Sequence, residues 1–420
     1  MEIITHVPTY SKREKLKGNE NSTAEEEAGC VIIIQKADPL VNLHSEKAIL
    51  IGIEIPATYD RDSHLGFRKI SLTESMQELE RLADTAGAEV AGQIKQKRAK
   101  PDQKYFMGSG KLEELKLLIN SRKANLVIFD SDLNPSQERN LEEALGIKVV
   151  DRTELILDIF AQHARSREGK LQVELAQSNF LLTRLTGHGI LMSRLGGGIA
   201  TRGPGETKLE YDRRRIRERI AGLKKEIEKV RKERSLRREK RRRSHLPIAA
   251  LVGYTNSGKS TLLNSLTKAN VLTEDKLFAT LDPTIRRVYL PAEKIILLTD
   301  TVGFIQKLPH QLIAAFRATL EEITEADLLL HVVDASHPYF EDQIAAVYTV
   351  LEELKCVAKP MITIFNKIDK LGKKIPEKLL KKYHPGVAVS ALYDQNLEKL
   401  RGTLVTFLSQ PPAQLASNLS

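Results

Sequence analysis

The sequence predicts an α/β protein in three parts, and three observations lead there. Strands alternate with helices from 46 to 165 and again from 246 to 410. The stretch between them, 166–245, carries helical periodicity and no strand signal. At the start of the third part an apolar strand, Leu246 to Val252, runs straight into a glycine-bearing loop and then a helix, Thr261 to Leu266. Residues 1–45 are polar, with acidic Glu25 to Glu27 and one short apolar patch at Val31 to Ile34, and read as a loosely ordered extension; 411–420 read as a tail.

The first alternation begins with the buried-strand run AILIGIEI from Ala48. A helix over Ser71–Ala86 follows, with Met76, Leu79, Leu82 and Ala83 on one face. Then come helix 111–119, strand 125–129, helix 136–145, strand 147–150 and helix 152–163, which make a small α/β domain over 46–165. In the second part Leu171, Leu175, Leu182 and Leu185 form a stripe. Ile216, Ile220, Leu223, Ile227 and Val230 recur at intervals of 4, 3, 4 and 3, a coiled-coil seam of about two heptads. So short a seam suits an intramolecular partner and a monomeric chain. The intervening GHGILMSRLGGGIATRGPGETK is rich in glycine and is expected to interrupt both helices, giving an antiparallel hairpin with a Gly-rich tip.

Composition bounds the function. The chain has 420 residues, 41% hydrophobic and 29% charged, which argues against disorder throughout. No apolar run approaches the roughly 20 residues of a membrane-spanning helix, and MEIITHVPTYSKREK lacks the apolar core of a secretory signal. Cys30 and Cys356 cannot build a disulfide framework, there is no zinc-ligand spacing, and the expected compartment is the cytoplasm. The net charge is +10, and Lys208 to Arg243 alone holds 18 basic and 7 acidic residues. So local a field suits a polyanion, most simply nucleic acid; a solvated helix face is the plain alternative.

The loop after the third part's first strand is Gly253-Tyr254-Thr255-Asn256-Ser257-Gly258-Lys259-Ser260, followed by Thr261: G-x-x-x-x-G-K-S in its strand-loop-helix context. Backbone N–H groups of such a loop curl round phosphates, Lys259 is placed for the β and γ phosphates, and the Ser260 hydroxyl for Mg²⁺. After a strand ending at Phe365 comes Asn366-Lys367-Ile368-Asp369. Its aspartate can accept from guanine N1–H and the 2-amino group; adenine lacks both donors. Ser390, Ala391 and Leu392 follow the next short strand, where a backbone N–H can meet guanine O6. Asp300-Thr301-Val302-Gly303 is the D-x-x-G element: Asp300 for the metal through water, the Gly303 amide for the γ-phosphate. Four elements in order, each at a strand end, predict a Ras-like GTP-binding domain with GTP or GDP as ligand and Mg²⁺ as cofactor.

Between the first two elements Phe278-Ala279-Thr280-Leu281-Asp282-Pro283-Thr284 must supply a threonine to the metal, and position alone leaves Thr280 and Thr284 both open. Where a Ras-like enzyme carries a water-orienting glutamine after D-x-x-G, this chain has Phe304, so slow unaided hydrolysis is expected; Arg286 and Arg287 lie nearby without an assignable role.

GYTNSGKS, FATLDPT, DTVGFI, NKID and the upstream GGGIATRGPGETKLE together resemble the HflX family of bacterial GTPases, over about 48–410. The resemblance implies that Thr280 is the metal-contacting threonine, which completes a catalytic set of Lys259, Thr280 and Gly303 and a metal set of Ser260, Thr280 and Asp300. It also implies binding to the large ribosomal subunit and its RNA, and separation of stalled or idle ribosomes under control of the GTP state. Gly108-Ser109-Gly110-Lys111 looks like a second phosphate loop, but Leu112 stands where Ser or Thr is needed, so it reads as a helix start. The family's association with ATP keeps a rival class in view, an ATP-driven RNA remodeller with the N-terminal domain as motor.

Overall fold

The computed structural model describes residues 46–55, 71–195, 204–242, 246–267, 277–278, 280–307, 317–372, 375 and 377–408, all within one compact unit. The expected extension at 1–45, the tail at 411–420 and 196–203 of the Gly-rich tip lie outside the described residues.

A four-stranded parallel sheet forms first, from β1 (Lys47–Glu54), β2 (Glu89–Lys97), β3 (Leu126–Phe129) and β4 (Lys148–Asp151), in the order β2-β1-β3-β4. β1 and β3 are buried on both faces, as their unbroken apolar runs require. β2 is not legible in the sequence as a strand: it is an edge with one buried residue, Ile94, among polar neighbours. Helices α1 (Leu72–Ala86), α2 (Ser109–Arg122), α3 (Pro135–Leu145) and α4 (Arg152–His163) cover the sheet. Ser71 begins α1 with a full capping box to Glu74, and left-handed Gly87 ends it. Gly108 is the N-cap of α2, the helix start expected there.

Helix α5 runs Arg167–Leu195 and α6 runs Pro204–Arg242, and they pack against each other. Here one expectation is corrected: α5 continues through Gly187 and Gly189 to Leu195, and α6 already contains Gly205. Each glycine costs a helix only about 1 kcal/mol against alanine, little against a helix of 29 residues, and Pro204 suits a first helical position. The seam residues Ile216, Ile220 and Leu223 are buried. Val173, Ala176 and Phe180 of α5 instead join the core formed by α1 and α4, so α5 is shared between the first domain and the hairpin. Arg219 to Glu174 (2.7 Å) and Arg234 to Glu168 (3.2 Å) tie α6 back to α5.

The last sheet has six strands in the order β10-β9-β8-β5-β7-β6: β5 (Ile248–Gly253), β6 (Thr284–Tyr289), β7 (Ile295–Asp300), β8 (Leu328–Asp334), β9 (Met361–Asn366) and β10 (Gly386–Ala388). All pairs are parallel except β6 with β7. Helices α7 (Lys259–Thr267), α8 (Arg317–Glu325), α9 (Phe340–Glu353), α10 (Glu377–Lys382) and α11 (Leu397–Leu408) flank it. The carboxyl ends of β5, β7, β8 and β9 therefore lie side by side, where an open parallel sheet holds its ligands.

Candidate nucleotide site

At the end of β5 the chain turns sharply through Asn256 (φ +58°) and Gly258 (φ +92°) before α7 begins at Lys259. A side chain at Gly258 would place its Cβ 2.2 Å from Nδ2 of Asn366, so only glycine lets the loop pass this close to β9. Lys259 is buried and donates to the carbonyls of Tyr254 (2.8 Å) and Gly253 (3.2 Å), which stretches its side chain back across its own loop. Burial pushes its ammonium down to about 8, with Asp300 opposing and Lys367 adding to the shift. Burial strips this cation of water, and a phosphate would supply the counter-charge that water no longer screens.

Ser260, at the start of α7, donates to Oδ2 of Asp300 (2.6 Å), and its hydroxyl lies 2.8 Å from that of Thr280. Asp300 closes β7, is fully buried, and its Oδ1 has no hydrogen-bond partner. Burial holds the carboxyl above its usual range, against the hydrogen bond from Ser260 and the charge of Lys259. Two hydroxyls, and a buried carboxylate oxygen awaiting a charge, make an all-oxygen set of the kind a hard divalent cation prefers, so these residues fit Mg²⁺. Gly303 lies against them: a Cβ there would stand 3.0 Å from Lys259 Nζ and 2.6 Å from Thr255 Cα. Phe304 stitches this segment to the phosphate loop, its N–H donating to Gly253 (3.0 Å) and its carbonyl accepting from Thr255 (2.7 Å). The Phe304 ring is buried with Ala250, Val252, Leu320, Ile323 and Val347.

A second cluster forms where β9 and the loop after β10 meet. Asn366 donates to Ser257 O (3.0 Å) and accepts from the Ala391 N–H (3.0 Å), so one amide joins the phosphate loop to the other end of the site. Ser390 donates to Oδ1 of Asp369, and Ser265 of α7 donates to Ala391 O (2.6 Å). Lys367, in the left-handed region at φ +61°, reaches Asn256 O (2.7 Å) and Asp334 (2.8 Å). Sequence reading misses Asp334; its signal is the acidic residue closing the apolar run LLLHVVD.

The structure thus brings Lys259, Ser260, Thr280, Asp300 and Gly303 together, and separately Asn366, Lys367, Asp369, Ser390 and Ala391. The other expected site residues turn their side chains elsewhere. The Tyr254 hydroxyl bonds to Glu78 of α1 and accepts from the Gln306 N–H (3.0 Å). The Phe278 ring packs edge-on against Phe160 of α4 at 4.7 Å, Leu281 and Val302 are buried in that same core, and the Asp282 carboxylate turns toward the start of α5. Thr301 donates to Leu251 O (2.6 Å), while Leu392 is exposed. Ala279 lies outside the described residues, and Arg286 and Arg287 stand exposed on β6.

A mostly parallel sheet with this phosphate loop, D-x-x-G and N-K-x-D at strand ends defines a P-loop GTPase. Family models agree: residues 73–161 match "GTP-binding GTPase N-terminal", 163–241 "GTP-binding GTPase Middle Region", and 248–367 "50S ribosome-binding GTPase". GTPase HflX of Caldanaerobacter subterraneus subsp. tengcongensis is 55% identical over 71% of this chain and 70% of its own. GTPase HflX of Escherichia coli K12 is 44% identical over 84% and 85%. A GTP-binding protein of Sulfolobus solfataricus, solved in complex with GDP, is 27% identical over 89% of this chain and 100% of its own, with a TM-score of 0.45. The chain belongs to the HflX family of GTPases. Among the described residues no helix is long and apolar enough to cross a membrane.

Proposed function

We propose that this GTPase binds the large ribosomal subunit as a monomer in the cytoplasm, separates stalled or idle ribosomes into subunits, and uses its nucleotide state to time attachment and release. The observation that carries the ribosomal part is the match of 248–367 to a family described as ribosome-binding. The exposed arginines of α6, Arg214, Arg215 and Arg217, support it, since guanidiniums placed along a helix contact RNA phosphates without reading sequence.

In this reading Ser260, Thr280 and Asp300 hold Mg²⁺, which when bound neutralises charge on the phosphate oxygens. Lys259 and the amides of Asn256 to Ser260 bind the phosphates, and the Gly303 amide meets the γ-phosphate. Asp369 and Ala391 N–H read guanine, with Asn366 holding the base loop to the phosphate loop. Phe304 is an apolar core residue and orients no water, so the ribosome completes the hydrolytic site. Sedimentation of intact ribosomes with the protein and GTP, a non-hydrolysable analogue or GDP tests the proposal. Free subunits should accumulate with GTP and the analogue and not with GDP; ribosomes left intact in all three would refute splitting.

A further inference from the structure

The loop carrying Thr280 is held from outside the nucleotide-binding domain. Asp282, two residues on, accepts from the backbone N–H groups of Arg165 (3.0 Å) and Ser166 (2.6 Å) and from the Ser166 hydroxyl. Ser166 in turn accepts from the Gly169 N–H (2.9 Å), so the hydroxyl caps the first turn of α5 while the carboxylate fixes the two residues that lead into it. A negative charge at the start of a long helix is favoured by its dipole. Gly169 leaves room for this: a Cβ there would come within 2.5 Å of Asp282 Oδ1. On the other side of Thr280, Phe278 is pinned by Phe160 and Leu277 N–H donates to Thr85 (3.3 Å). Both ends of the threonine's loop are therefore anchored on α1, α4 and α5.

We propose that Asp282 is a positioning residue of the GTPase site: by binding Arg165 and Ser166 at the start of α5 it holds Thr280 beside Ser260 and Asp300. This rests on the assignment of Thr280 to the metal and γ-phosphate made above. Because coupling is reciprocal, a triphosphate that favours Thr280 beside Ser260 and Asp300 also favours the fixed start of α5. The hydrogen bonds of the anchor go to Arg165 and Ser166, so it should affect discrimination between triphosphate and diphosphate and leave GDP binding alone.

The test uses the full chain with Mg²⁺, measuring affinity for a non-hydrolysable GTP analogue and for GDP, and hydrogen exchange of amides 165–170. Thr280→Ala should lower the analogue-to-GDP preference. Asp282→Ala should lower it by about tenfold, a coupling of ordinary size, with GDP affinity unchanged and Asp282→Asn intermediate. Gly169→Val, far from the phosphates in sequence, should match Asp282→Ala. In the unaltered protein amides 165–170 should be better protected with the analogue than with GDP, and Asp282→Ala should erase that difference. If Thr280→Ala lowers the preference while Asp282→Ala and Gly169→Val leave both preference and protection unchanged, Asp282 merely caps a helix and the proposal fails. If Thr280→Ala itself has no effect, the assignment of Thr280 fails first. Should Asp282→Ala lose GDP binding through misfolding, Gly169→Val and Ser166→Ala decide the matter.

Discussion

At the scale of single residues, the proposed reading of guanine turns on one carboxylate. Ser390 donates to Oδ1 of Asp369, and in the proposed reading Oδ2 takes the guanine donors. In Asp369→Asn the same serine should hold the amide oxygen and present the NH₂ group, which repels guanine's donors and suits the 2-oxo group of xanthine. GTP binding should weaken by about 3 kcal/mol, roughly a hundredfold, while xanthosine triphosphate gains, as competition measurements would show. Phe304 makes the second case. Since its ring is buried among apolar side chains, Phe304→Gln places an amide where no water is displaced usefully. That variant should unfold more easily, by about 2–4 kcal/mol, without faster hydrolysis; a thermal melt beside a turnover assay checks both.

The elements add a dependence on pH. His331 sits in the middle of β8, fully buried with Tyr348 edge-on at 5.9 Å, and its Nδ1 has no hydrogen-bond partner. Burial is the main cause and the charge of Lys259 the lesser one in pushing its imidazolium down to about 3. The folded chain therefore keeps His331 neutral, while the unfolded chain takes up a proton below about 6.5. The stability that depends on this is present above pH 6.5 and is lost as pH falls toward 3, by several kcal/mol at the limit. His331→Leu should flatten the acid side of a stability profile measured by urea unfolding between pH 7 and 4. An unchanged slope would show that His331 does not carry the acid sensitivity.

For the whole molecule, the basic helix is less free than its composition suggests. Arg231 reaches Glu321 (3.0 Å) and Arg234 reaches Glu322 (3.4 Å), both on α8, the helix after the D-x-x-G segment. Part of the positive charge on α6 thus serves contacts with the nucleotide domain, whereas among the described residues exposed Arg214 and Arg217 pair only within α6, with Glu218 (3.9 Å) and Glu210 (3.8 Å), so that they and the exposed Arg215 are the better candidates for RNA. Neutralising Arg214 and Arg215 should weaken ribosome binding and lower the salt slope by about 0.7–0.9 for each phosphate left unneutralised, with GTP affinity unchanged. Binding titrations across a range of salt would show it, and an unaltered slope would return these arginines to the role of solvating a helix face.

The chemistry of this protein is written locally. GYTNSGKS, DTVG and NKID are contiguous because a phosphate loop or a base-reading loop draws its groups from consecutive backbone positions, so spacing alone declares a GTPase. Helices with one apolar face and strands buried on both sides are legible for the same reason, since their burial follows a fixed period. What spacing could not decide depends on residues far apart in the chain. β2 and β6 are edges whose polar sequences form strands only because a neighbour offers hydrogen bonds. Thr280 rather than Thr284 meets Ser260 because the Asp282 end of the loop is drawn to α5, more than a hundred residues earlier, and Thr284 is already paired into β6 opposite Asp300. Glu78, Phe160 and Ser166 meet the nucleotide domain only once two sheets and a shared helix are packed, and no local pattern records a contact whose partner the fold itself supplies.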